Sequence, residues 1–221
     1  MEQDHLNQKA KNNLLKKDYL VDLKYKAQLL FPTCIHIFEY ENFESIKNEL
    51  VQHVYEEKDR DPKGRILSNR GGWQSRDFVK DDKIFSLIEK IFCELPILNK
   101  EISFSLDCWF NINKKGSYNT KHVHPTSDFS GVFWLKTPMN CGNIVFESPH
   151  NFSSFIEIQS YTDKFKNDTG CTSGYFFNPI EGKMLIFPSS LEHEVQPNES
   201  DEDRISVSFN IKLLAERNYN G

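Results

Sequence analysis

The sequence predicts an α+β fold, with antiparallel sheets buttressed by helices. Two segments in its first half carry apolar residues at helical spacing, and from Glu101 onward the apolar period drops from 3.6 to 2. Gly, Pro and Asn punctuate the later segments, as turns between strands require. A chain of 221 residues suits one domain with an extension, and its 18 phenylalanines suit an aromatic core.

Residues 1–28 are polar and charged with sparse Leu, and are expected to form a loosely attached extension. The composition shifts at Leu29-Leu30-Phe31-Pro32, so the domain is placed at 29–214, with a short tail at 215–221. Residues 34–40 (CIHIFEY) are expected to form a strand. In 43–57, Ile46, Leu50 and Val54 lie four apart on one helical face. Residues 58–72 are rich in turn signals, including Gly71-Gly72. Residues 82–95 place Ile84, Leu87, Ile88, Ile91, Phe92 and Leu95 on one stripe, with Asp81 as N-cap and Pro96 as stop. Strands are then expected at 102–112, 129–136, 143–147, 183–188 and 204–213.

Composition excludes several function classes. A net charge of −5 supplies no basic field for nucleic acid. No apolar run approaches the roughly 18 residues of a membrane span. The N-terminal stretch has no apolar h-region of a secretory signal. Five scattered cysteines form no CxxC pair, which points to reduced thiols in the cytoplasm, each expected as a small buried apolar residue.

The strand 204–213 splits into two faces. Ile205, Val207, Phe209, Ile211 and Leu213 share one; Arg204, Ser206, Ser208 and Asn210 share the other. The strand 102–112 shows the same split, with Trp109 and Asn111 on its polar face. In a sandwich the polar faces would meet water. In a barrel the apolar faces would pack on the two helices and the polar faces would line a cavity. His122 and His124 stand two apart on an extended segment, where both rings can reach one metal ion; taken alone, such spacing more often reflects chance or a structural pair. His193 follows the apolar strand 183–188, where a lone histidine is also commonly structural.

Their order is more informative: HxH, a gap of about seventy residues, His193, then Arg204 and Ser206 about ten residues later. It resembles the 2-oxoglutarate oxygenases of the prolyl-hydroxylase type, with HxD, a distal His and then Arg-x-Ser. The chain is also similar to a family of 2-oxoglutarate/Fe(II) oxygenases of bacteria and phages. The matching stretches are Leu30-Phe31-Pro32, SNRGGWQS at 68–75, Trp109-Phe110-Asn111, GSYNTKHVHP at 116–125, SGVFWL at 130–135, GKMLIFPSSLEHEVQPN at 182–198 and RISVSFN at 204–210.

The resemblance implies a double-stranded β-helix, a jelly roll of cupin-like form with supporting helices. It implies Fe(II) on His122, His124 and His193, and 2-oxoglutarate on Arg204 and Ser206, with Asn111 and Trp109 walling the cavity. It implies a dioxygenase that hydroxylates a small molecule or a protein side chain such as prolyl, consuming O2 and releasing succinate and CO2. Non-haem Fe(II) oxygenases leave open positions beside three facial ligands. An arginine fork suits the far carboxylate of the cosubstrate. One departure stands out: His124 occupies the place of the usual Asp. Asp128, Asp107 and Glu147 are the carboxylates that could restore a two-histidine site. Two rival functions stay open at this point, a three-histidine cupin dioxygenase without 2-oxoglutarate and a jelly-roll binding module without catalysis. The loop around Gly71-Gly72 could shape a substrate wall with Trp73, or be a tight turn with a core Trp.

Overall fold

The computed structural model describes residues 28–76, 83–96, 102–150 and 155–214. The expected extension (but for Gln28), the tail and the Asp81 cap lie outside them. The elements below belong to the unit Thr33–Gly221. They run β1 (His36–Glu39), α1 (Glu44–Arg60), β2 (Asn69–Arg70), β3 (Trp73–Gln74), α2 (Lys83–Cys93), β4 (Ser103–Asn113), β5 (Tyr118–His122), β6 (Phe129–Lys136), β7 (Ile144–Glu147), α3 (Phe155–Ser160), α4 (Asp163–Thr169), β8 (Gly174–Phe177), β9 (Lys183–Pro188), β10 (His193–Val195) and β11 (Arg204–Leu214). A six-stranded sheet has the order β1-β9-β6-β11-β4-β3, and a five-stranded sheet the order β2-β5-β10-β7-β8. All the pairings are antiparallel, and from β4 to β11 the chain alternates between the sheets except at the β7–β8 hairpin, the winding of a double-stranded β-helix.

The larger sheet has two unlike faces. Ile205, Val207, Phe209 and Ile211 of β11 are wholly buried with Leu50 and Val54 of α1 and Ile84, Ile88 and Phe92 of α2. The helical stripes therefore cover the apolar face of the sheet, and the barrel reading of the split strands holds. Gly131 of β6 faces Phe209 in register, and a Cβ there would stand 2.1 Å from the Phe209 ring. Between the sheets Val132, Trp134, Ile144, Phe146, Leu185, Phe187 and Leu191 form a second cluster.

Trp73 joins the helix-side core and donates Nε1–H to Asp61 O at 2.9 Å, so the core reading of this residue holds. One expectation is corrected. Cys108 and Cys141 are buried, but Cys171 is only half-buried and Cys34 and Cys93 are exposed; Cys34 precedes β1 and Cys93 ends α2 outside its apolar stripe. Among the described residues no helix is long and apolar enough to cross a membrane.

Candidate active site

Three histidines meet at one end of the space between the sheets. His122 ends β5 and His193 opens β10, and the two are cross-strand partners. Their ring centroids lie 4.4 Å apart. His124 is not on β5; it sits two residues past the strand's end. Its N–H donates to Ser189 O at 2.9 Å and its carbonyl accepts from Ser127 N–H at 3.2 Å, which fixes the turn. Its ring lies 4.9 Å from that of His122 and 5.3 Å from that of His193. One nitrogen from each ring lies within 4.8 Å of the others, a spacing that one ion can span.

Burial keeps the rings neutral. It pushes His193 down to about 3 and His124 to about 4, the latter helped by His122, and it lowers His122 as well. A neutral imidazole is the form that ligates a metal. Nδ1 of His122 lies 2.6 Å from Thr120 O, and Nδ1 of His193 lies 2.8 Å from Leu191 O. A carbonyl can only accept, so both rings carry their proton on Nδ1 and offer the Nε2 lone pair.

The alternative carboxylates are engaged elsewhere or lie outside the cluster. Asp128 Oδ2 accepts from Leu213 N–H at 2.7 Å, Glu147 is paired with Lys121, and Asp107 is exposed. Among the described residues the three histidines form the one candidate metal cluster.

The cavity beside the histidines is lined by Trp109, Asn111, Ser130, Trp134, Arg204 and Ser206, among others. Arg204 is 2% exposed. Its Nη1 donates to the carbonyls of Cys141, Gly142 and Gln196, the second at 3.2 Å and the third at 3.3 Å. Its Nη2 is buried with no partner. Burial lowers the guanidinium only to about 10, so it stays charged at neutral pH. A buried cation fixed on one side and unsatisfied on the other fits an anionic ligand, because an unmet donor is costly to bury. Gly142 allows the close approach that holds the clamp: at φ 83° it takes a conformation that disfavours side chains, and a Cβ there would stand 2.5 Å from the carbonyl oxygens of Gln196 and Pro197.

Ser206 and Asn111 are cross-strand partners on the cavity side. Asn111 Nδ2 donates to Ser208 Oγ at 2.9 Å. Trp109 lines the cavity, with the Arg65 guanidinium 5.3 Å from its ring centroid. Its Nε1–H is accepted at 3.0 Å by the Gln74 amide oxygen once that amide is turned to satisfy its neighbours. Ser68, Asn113, Asn119, Ser130 and Asn210 were not singled out by sequence for chemistry. The alternation along β11 places Asn210 on the same face as Arg204, the one signal that could have found it.

A jelly roll with three clustered histidines, and beside them a buried arginine short of a partner, is the arrangement expected of the 2-oxoglutarate- and Fe(II)-dependent oxygenases. Residues 107–210 match the family described as "Putative 2OG-Fe(II) oxygenase". The matched segment spans all three histidines, Arg204, Ser206 and Asn111. A Pseudomonas putida prolyl-4-hydroxylase superposes with a TM-score of 0.57 at 12% identity, covering 81% of this chain and 92% of that one. A Trichoplax adhaerens prolyl hydroxylase, solved with a hypoxia inducible factor peptide, gives 0.55 at 14%, covering 80% and 83%. HygX of Streptomyces hygroscopicus, solved with nickel, 2-oxoglutarate and hygromycin B, gives 0.54 at 12%, covering 81% and 83%. At these identities the likeness is one of fold. No curated protein sequence matches the chain.

Proposed function

We propose that the chain is a dioxygenase that binds Fe(II) through His122, His124 and His193 and 2-oxoglutarate through Arg204 and Ser206, and hydroxylates an organic substrate with release of succinate and CO2. The observation that carries this reading is the pairing of the three-imidazole cluster with the unsatisfied Nη2 of Arg204 in one cavity. When bound, the iron and 2-oxoglutarate supply the oxidising chemistry. The protein's own residues do the rest. His122 and His193 hold their lone pairs toward the ion through backbone carbonyls. Arg204 takes the far carboxylate and Ser206 adds a hydroxyl on the same face. Trp109, Trp134 and Phe187 supply the apolar part of the cavity wall.

The substrate is a small molecule or a protein side chain such as prolyl. The structural relatives hold a peptide in one case and hygromycin B in another. We place the activity in the cytoplasm, supported by five cysteines of which none is bridged, and assign it no nucleic-acid partner, since the net charge is −5. The domain is assigned to residues 29–214. A three-histidine dioxygenase without 2-oxoglutarate would leave Arg204 Nη2 without purpose. The reading is tested by anaerobic titration of Fe(II)-loaded protein with 2-oxoglutarate, followed through the charge-transfer absorption of the chelate. Saturation at one equivalent, followed by succinate on admission of O2, is the expected result. Absence of both sinks the reading.

A further inference from the structure

The three histidines are not held alike. His122 and His193 each face a backbone carbonyl, which dictates the tautomer. His124 faces a side chain instead: its Nδ1 lies 3.3 Å from Asn210 Nδ2. Asn210 Oδ1 in turn accepts from Ser130 Oγ–H at 2.8 Å, and Ser130 and Asn210 are cross-strand partners on β6 and β11. In this orientation the amide donates to Nδ1, so the proton of a neutral ring sits on Nε2. That tautomer offers no lone pair to an ion on Nε2.

An amide's two ends have nearly the same outline, and a half-turn exchanges them at little steric cost. A hydroxyl can donate or accept. After the half-turn, Asn210 Nδ2 donates to Ser130 Oγ and its Oδ1 accepts from His124 Nδ1–H. The chain Ser130–Asn210–His124 is satisfied in either direction. Only the second direction frees Nε2.

Resting on the metal reading above, we propose that Asn210 is a positioning residue for His124: its amide oxygen holds the Nδ1–H tautomer, and metal binding turns the amide into that orientation. Asn210 thus does for the unusual third ligand what Thr120 O and Leu191 O do for the other two. A neutral amide also leaves the ion's charge undiminished, which favours a dianionic cosubstrate. Partners that orient ligating histidines typically contribute 10- to 100-fold in metal affinity.

The test uses the full chain and Zn(II) as probe. Asn210→Leu keeps the volume and removes both polar ends; its Zn(II) affinity should fall about 10- to 100-fold. Asn210→Asp presents only acceptors and should bind Zn(II) at least as tightly as wild type. A purely steric role would not separate these two variants. Nitrogen-15 spectra of the histidine rings in wild type give a readout that needs no variant. His124 should carry its proton on Nε2 in the stripped protein and on Nδ1 after Zn(II) is added. If Asn210→Leu binds Zn(II) like wild type while His122→Ala and His193→Ala do not, the positioning role is wrong and the metal site stands. If the His124 proton stays on Nε2 after Zn(II) is added, the positioning role is wrong and His124 does not ligate through that nitrogen. If the two histidine variants also bind like wild type, the metal reading itself has failed.

Discussion

The two faces of β11 make unlike use of the same backbone. One side presents Ile205, Val207, Phe209 and Ile211, all at 0% exposure, to the helices. The other presents Arg204, Ser206 and Ser208 to a cavity and sets the Asn210 amide beside His124. Nearly everything on the first face is interchangeable apolar volume, and its worth is stability. On the second face each side chain has a named partner or lacks one, and its worth is chemistry. Polar residues in the interior, where an apolar wall would fold as well, mark the functional face.

Substitutions should therefore separate stability from binding. The largest stability effect is expected on the helix side. Phe209→Ala opens a cavity above Gly131 and should cost about 3–5 kcal/mol, read by denaturant unfolding. Metal content of the folded fraction should be unchanged. Across the strand, Arg204→Ala should weaken 2-oxoglutarate binding by roughly 2–4 kcal/mol, about 30- to 1000-fold, with metal content near wild type. Arg204→Lys should recover only part of this, since a point charge replaces a fork. Wild-type affinity in Arg204→Ala would remove the clamp from the account.

The buried imidazoles give the cavity face a pH signature that the helix face lacks. His193 has an ordinary value near 6.5 when unfolded and about 3 when folded. The unfolded chain thus binds the extra proton, and the contribution of His193 to the stability of the metal-free protein is fully present above about pH 6.5. Stability falls as the pH drops from there toward 3, with His193 contributing on the order of 3–5 kcal/mol across that window. Unfolding of the chelator-stripped protein at several pH values checks this, and His193→Phe should flatten the profile. The smallest effect is expected at the exposed Lys121–Glu147 pair. Glu147→Gln should match wild type in both melting midpoint and metal content, which also tests whether that carboxylate has any part in the site.

Where burial imposes a strict period, the sequence told the structure well. Residues 129–136 and 183–188 are strands to the residue, and 204–213, 102–112 and the two long helices shift by at most a few positions. β5 carried no readable period, because one face meets the cavity and the other water, and both are polar. β2, β3 and β10 have only two or three residues, too short for any period. β8 leaves Tyr175 and Phe176 exposed and so breaks alternation. The candidate site was legible through spacing and resemblance at His122, His124, His193, Arg204 and Ser206, which remain proposed ligands. Asn210 and Ser130 were not, since a polar residue on a strand shows its meaning only when the partner across the sheet is known.

The central claim is that three histidines and no carboxylate hold the ion. It is tested most directly by iron per chain after anaerobic reconstitution of single alanine variants at 122, 124, 193, 128 and 107. Large losses at His122, His124 and His193, with Asp128→Ala and Asp107→Ala near wild type, are predicted. Full iron in His124→Ala, together with loss in either aspartate variant, would contradict it.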